Sequence, residues 1–393
     1  MHCTIMTPSI GSLNGASQSS MDLILACNQV NRFLSVIYLH SSKIPNNIDG
    51  HKLKDLKFYK SALELQSPYK NNHINLTTLR RWIDSKIFDS YRSKKISQLH
   101  SEILIVNSIA GHKIYEKYKN IKYKRKILVV RESPRHFEYK FNEPTALVDA
   151  QNKMKMYDNY IFVSLNVLEE WKKILSLENH QCFYIPNCIN ETKIKNLLVQ
   201  DKNKIKKDLN FTNDEFHIVC VASIQFRKGQ DILINMLPKL AQCIPNMKLH
   251  LVGPFFQPFT NELMQNKTYI KYKKYIKLWG SRTDAFKIIY ASDVFLFPTR
   301  AEAFPRVILE SMALQTPILS SDVDGIPEMI DNNISALLFS HNNYNKILDD
   351  LILIYNNKTL TEKLINNASI NYWEKFSREK QLVRFNDFFN SIS

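Results

Sequence analysis

Two successive series of short apolar runs set the limits on how this chain can fold. The first falls at residues 2–7, 33–39, 102–106, 127–130, 159–163 and 182–185, and the second at 217–222, 248–252, 276–279, 293–297, 317–320 and 336–339. Runs such as Ile127-Leu128-Val129-Val130 are short, bounded by polar stretches and rich in β-branched residues, which suits strands covered on both faces. Helical or loop stretches separate them, so the strands pair in parallel through crossovers, and two such series imply two α/β layers. A length of 393 residues fits about two domains of ordinary size. The series break near Ile185-Pro186-Asn187-Cys188, and a Lys-rich run without a strong apolar period follows from Lys193 to Lys207. The expected division is therefore a Rossmann-like domain over 1–190 and a second over 191–376. In the tail, 377–393, Leu382, Phe385, Phe388 and Phe389 recur at helical spacing and predict a docking helix.

Composition excludes several classes. Hydrophobic residues at 44% argue against disorder. Glycine is scarce, with 8 in the chain, so each one marks a place where a side chain fits poorly; Gly229, Gly253, Gly280 and Gly325 all follow or join predicted strands. The six cysteines form no C-x-x-C pair and several lie in apolar runs, which predicts reduced, buried thiols in a cytosolic protein. The start, MHCTIMTPSIGSLNG, lacks the basic and apolar regions of a secretory signal, and no stretch approaches 18 apolar residues. The expected location is cytoplasmic, with any membrane contact peripheral, on the inner face.

The net charge of +16 calls for an anionic partner. Much of it lies in HKIYEKYKNIKYKRK, 112 to 126, and in KTYIKYKKYIK, 267 to 277. Three readings compete for these stretches: solvated faces, a patch for anionic lipid headgroups, or a nucleic-acid surface. The last lacks a helix-turn-helix, finger or RNA-recognition signature, so nucleic acid is not expected as a partner.

The segment with most chemical content is DVFLFPTRAEAFPRVILESMALQTPILSSDVDGIPE, 293 to 328. Val294 to Phe297 reads as a strand that Pro298 ends, and the loop beyond carries Glu302. Pro305 suits the first turn of a helix that continues through Glu310 and Met312. A second strand, Pro317 to Ser321, leads to the turn Gly325-Ile326-Pro327-Glu328. Earlier, a strand ending near Ser223 meets a helix starting near Asp231, and the loop between them holds Arg227, Lys228 and Gly229. A basic pair at such a turn is placed to meet a phosphate, because exposed N–H groups and the helix dipole already favour an anion.

In its ordered conjunction of paired glutamates, E-x-F at 302 to 304, E-x-M-A at 310 to 313 and GIPE, the segment resembles the signature of the retaining family-4 glycosyltransferases. The resemblance covers roughly residues 185 to 375 well and the first 185 loosely. It implies the GT-B architecture, two Rossmann-like domains facing each other across a cleft, with the C-terminal tail crossing back onto the first. It implies transfer of a sugar from a nucleotide-diphosphate sugar to a glycan or lipid-linked acceptor, with neither a cofactor nor a metal. Lys228, with Arg227, would hold the donor diphosphate beside Gly229. Glu302 would contact the sugar, Glu310 the ribose hydroxyls, and the N–H groups of Ala303 and Phe304 the sugar or phosphate. Gly280 and Ser281 resemble a turn near the base. Mechanistically it implies a front-face displacement rather than a glutamate nucleophile.

The first half departs further from that pattern. Gly11 and Gly15, after the first strand, would let backbone approach a phosphate or acceptor, or would simply form a loop tip. Arg131 and Glu132 stand at a strand end where many relatives have a histidine, and His136 comes later. Ser164 and Pro186-Asn187 fit family positions or ordinary turns. A catalytically silent GT-B-like scaffold and a basic nucleic-acid-binding protein are the rival classes.

Overall fold

In the first half of the chain the continuous apolar runs become the inner strands of a sheet, because only a strand covered by helices on both faces keeps Ile127 to Val130 wholly out of water. Its strands are β1 (His2–Ile10), β2 (Phe33–Ser41), β3 (Leu56–Lys60), β4 (His100–Asn107), β5 (Lys122–Val130), β6 (Asn159–Phe162) and β7 (Cys182–Tyr184). They lie in the order β7-β6-β5-β4-β1-β2-β3, all parallel. The computed structural model describes residues 2–10, 15–30, 33–41, 93–141, 144–340 and 343–392, with short strands at 47–48, 51–52, 56–60, 69–70 and 73–74.

The second half repeats the plan with β8 (Phe216–Val221), β9 (Met247–Val252), β10 (Ile276–Gly280), β11 (Val294–Phe297), β12 (Ile318–Ser321) and β13 (Leu337–Phe339), in the order β10-β9-β8-β11-β12-β13 and again all parallel. Each sheet reverses its direction of growth once, between β1 and β4 in the first and between β8 and β11 in the second. Such switch points open a crevice at the carboxyl ends of the strands, where α/β proteins hold ligands. The chain is thus α/β, with two Rossmann-like domains in the GT-B arrangement.

Four features differ from the sequence expectation. Strand β3 is absent from the apolar series because it lies at a sheet edge, with Leu56, Phe58 and Tyr59 half-buried and Lys57 exposed. Strand β5 begins at Lys122, so the basic stretch is partly strand, with Lys122, Lys124 and Arg125 exposed ahead of the buried run. The Lys-rich run after Glu191 forms two short helices, Glu191–Leu198 and Lys202–Asp208, each capped by the preceding Asn190 or Asp201 side chain and each burying Ile194 and Leu197 or Ile205. All six cysteines are free, but Cys243 is exposed and Cys182 half-buried, where buried thiols were expected.

The domains share polar contacts as well as apolar ones. Asp22 lies on α1 (Gly15–Val30) and pairs with Arg306, the first residue of α4 (Arg306–Ala313) in the second domain. Its other oxygen accepts from Arg378, at the start of the C-terminal helix Arg378–Ile392, at 2.5 Å. Burial alone would raise the Asp22 carboxyl, but the two guanidinium groups outweigh it and hold it below the usual range. The same helix lays Phe388 edge-on against Phe183 of β7, with ring centroids 4.8 Å apart. Its Gln381 donates to the Pro186 carbonyl at 2.8 Å and accepts from the Cys188 thiol at 2.9 Å.

Candidate functional site

At the second-domain switch point, the turns that follow β8 and β11 pack backbone to backbone. Gly229 has φ 73, and a Cβ there would run into the Pro298 carbonyl, so the approach requires glycine. Arg300 N donates to the Arg227 carbonyl at 2.8 Å, and the Arg300 guanidinium forks onto Asp231 at 2.9 and 2.7 Å. These contacts clamp the basic turn, Phe226–Lys228, against the loop that carries Glu302.

The side chains meet as a result. Glu302 accepts from Arg227 Nη1 at 3.0 Å and is paired with the Lys228 ammonium through the same carboxylate oxygen. Arg227 Nη1 also donates to the Ala301 carbonyl at 2.5 Å. Burial, together with the Arg227 guanidinium, presses the Lys228 ammonium far below its usual pKa, and the Glu302 carboxylate against it opposes that pressure. Burial also brings Arg227 down to about 10. Two desolvated cations meeting one carboxylate leave the corner with one net positive charge.

The other residues named from sequence lie at graded distances from this corner. Ala303 and Phe304 are buried in the same loop as Glu302. Pro305 caps the helix rather than entering its first turn, with ψ 120, so α4 begins at Arg306. Glu310 sits in the next turns of α4, where burial raises its carboxyl while Arg306 and Lys193 partly offset the rise. Among the described residues no hydrogen-bond donor is seen on its carboxylate. Gly280 has φ 64 and open space where a Cβ would lie, and with Ser281 it ends β10, two strands out from the switch point and about 10 Å from it at the usual strand spacing. Gly15 begins α1 in the first domain, and Gly11 lies outside the described residues.

Several polar contacts lie at or beside the cleft, and no sequence signal showed which residues would pair there. Asp324, with a fully buried side chain, accepts the Glu302 N–H at 2.8 Å and the Ser133 hydroxyl at 2.6 Å, and Arg135 stands 3.6 Å away. Burial raises its carboxyl. Glu328, the last residue of GIPE, caps the first-domain helix α2 (Leu165–Leu175) by accepting Leu165 N at 2.7 Å and Asn166 N at 3.0 Å. Burial pushes its carboxyl up to about 7, against the pull of those two N–H groups. Ser164 is the N-cap of α2, accepting Val167 N at 3.1 Å. Arg131 is tied down inside the first domain, its Nε donating to Asn107 Oδ1 at 2.7 Å and its Nη1 to Asn187 Oδ1 at 2.5 Å.

Comparison with known proteins places this geometry. Residues 201–370 match the family model described as glycosyl transferases group 1. The chain is 26% identical over 241 residues to an uncharacterized glycosyltransferase of Methanocaldococcus jannaschii, covering 60% of this chain and 61% of that relative. It is 27% identical over 210 residues to the alpha-galactosylglucosyldiacylglycerol synthase of Streptococcus pneumoniae, covering 52% and 54%. The chain thus spans less than two thirds of the length of these curated relatives. Anabaena HepE in complex with UDP and glucose superposes with a TM-score of 0.76 at 17% identity over 100% of both chains. WaaG, a glycosyltransferase involved in lipopolysaccharide biosynthesis, does so with a TM-score of 0.71 at 12% identity over 98% and 99%. Residues 201–370 thus resemble the glycosyl transferases group 1 family, and the chain as a whole shares the GT-B fold of these solved structures.

Proposed function

We propose that the protein is a retaining glycosyltransferase that moves a sugar from a nucleotide-diphosphate sugar to a glycan or lipid-linked acceptor. The observation that carries this reading is the convergence of Lys228, Arg227 and Glu302 at the switch point of a group 1 domain. The two cations meet the diphosphate, whose charge grows as the bond from the anomeric carbon to its oxygen breaks. Glu302 then turns to the sugar hydroxyls, and Glu310 accepts from the ribose. In a front-face displacement the acceptor oxygen bonds to the anomeric carbon on the side the diphosphate leaves. Its proton passes to a departing phosphate oxygen, so no protein nucleophile is needed and the configuration is kept. UDP-glucose is the first donor to test, given the UDP and glucose bound by HepE.

The exposed Lys113, Lys117, Lys119, Lys122, Lys124 and Arg125 support peripheral contact with an anionic membrane, where a lipid-linked acceptor would lie. Among the described residues no helix is long and apolar enough to cross a membrane.

A thermal-shift panel of nucleoside diphosphates and their sugars tests the reading. A ligand at 100 times its Kd adds about 2.7 kcal/mol of stability. A flat panel, with no turnover or slow hydrolysis of any sugar nucleotide, would move the protein to the scaffold class. Glu310→Gln is expected to weaken UDP binding by about tenfold with the melting temperature of the free protein retained. Unchanged affinity would remove Glu310 from the ribose site.

A further inference from the structure

The loop that carries Glu302 is gripped from outside its own domain at two points, each through one intermediary. At its start, the Glu302 N–H donates to Asp324 Oδ2 at 2.8 Å, and that oxygen also takes the Ser133 hydroxyl at 2.6 Å. At its end, the Phe304 carbonyl accepts Asn187 Nδ2 at 2.8 Å, and Asn187 Oδ1 accepts Arg131 Nη1 at 2.5 Å. Ser133 and Arg131 belong to one short segment that leaves β5. That segment is itself immobilised: Arg131 donates to Asn107 at 2.7 Å and to the Ser19 carbonyl at 3.3 Å, and the Trp171 indole donates to the Glu132 carbonyl at 2.9 Å.

Asp324 shows that the grip has an energetic cost. Its φ is 48, the left-handed region in which a glycine would sit freely and another residue carries strain of about 1–3 kcal/mol. Its carboxylate, bonded on both sides of the cleft, and its carbonyl, which accepts Asn166 Nδ2 at 3.1 Å, offset that strain. Asn187 is 9% exposed, and both halves of its amide are used, one on each side.

We propose that residues 131–135, acting through Asp324 and Asn187, form a positioning clamp that aligns the Glu302 loop when the cleft is closed. This rests on the glycosyltransferase reading for its consequence. Lys228 and Arg227 bind the diphosphate from the second domain alone, whereas the orientation of Glu302 and of the Ala303 and Phe304 backbone toward the sugar is set by the first domain. In this proposal Ser133, Asp324, Asn187 and Arg131 are positioning residues, acting through the Glu302 loop.

Ser133→Ala and Asn187→Ala, one at each end, test this in the full chain. Three quantities are read: amide exchange of the 299–305 peptide, UDP affinity, and kcat and KM with UDP-glucose. Losing a buried hydrogen bond of this kind is expected to speed exchange about tenfold and to lower kcat about tenfold, with UDP affinity within about twofold. Asp324→Asn, which keeps an acceptor for the Glu302 N–H, is expected to retain more protection than Asp324→Ala. Unchanged exchange in both end variants would overturn the clamp, as would faster exchange with kcat intact. So would a loss of UDP affinity that parallels the loss of kcat, since that marks general loosening of the second domain. Failure of the wild type to bind UDP or consume a sugar nucleotide would sink the functional reading, while the exchange arm would still judge the clamp.

Discussion

Glu302 closes on Lys228 and Arg227, so on the proposed reading a donor diphosphate would replace a carboxylate already paired with both cations. The exchange is an anion for an anion, which keeps the buried charge compensated throughout. A specific prediction follows from the competition. Glu302→Gln, which removes the charge and keeps the shape, is expected to tighten UDP binding by several-fold to about tenfold while lowering the transfer rate. Isothermal titration with UDP measures the first effect, and weaker binding in the variant would refute it. At this scale the sequence was readable wherever one loop follows one strand. Lys228 and Glu302 meet because β8 and β11 are neighbours, and the apolar runs announce both strands. Asp324 was not readable in this way. Its bond to Ser133 joins residues 191 positions apart, and it depends on how two domains close, which no local pattern encodes.

Among the elements, the edge of the second sheet contains a polar chain inside an aromatic stack. Trp279 Nε1 donates to His250 Nδ1 at 3.1 Å, which assigns the His250 proton to Nε2, 3.1 Å from His217 Nδ1; His217 Nε2 then donates to the Thr212 carbonyl at 2.9 Å. Phe211 stacks on both imidazoles, with ring centroids 4.0 and 4.4 Å away. This arrangement works only with both rings neutral, since an added proton on either would face a donor or a buried apolar ring. Burial lowers both, His250 to about 3. Because the unfolded rings take up protons near pH 6.5 and the folded ones do not, this stabilisation is complete above that pH and is lost as pH falls toward the folded value. His250 alone should cost about 2 kcal/mol by pH 5. Urea unfolding between pH 7 and pH 5 is expected to show this fall, and His250→Leu to flatten it. Equal slopes in the two proteins would contradict the assignment. The strands β8, β9 and β10 that carry these residues were legible as apolar runs, but the histidines inside two of them gave no sign of being paired. Strand β3 was missed for a different reason: it lies at a sheet edge, half-buried and interrupted by Lys57, and a search for continuous apolar runs passes over it.

On the scale of the whole molecule, Asp22 connects three parts of the chain: helix α1, helix α4 of the second domain and the C-terminal helix. Removing one member of a buried ion cluster strands the others, so Asp22→Ala is expected to destabilise the protein by about 3–5 kcal/mol. Chemical denaturation measures it, and a loss below about 1 kcal/mol would mean that the two arginines find water or other partners. The tail helix was legible from its own periodicity of Leu382, Phe385, Phe388 and Phe389, whereas its partners were not, because Asp22 and Phe183 carry no mark of what will cover them.

That helix has a mechanical consequence. The chain passes between the two domains twice, once after Pro186 and once before Arg378, and Gln381 fastens the second crossing to the first through Pro186 and Cys188. Two bodies joined by a single strand can swing in any direction. Joined by two crossings pinned side by side, they keep one easy motion, a rotation about the line through the pins, like a door on its hinge. A cleft hinged in this way would return Asp324 and Asn187 to the same partners each time it shut.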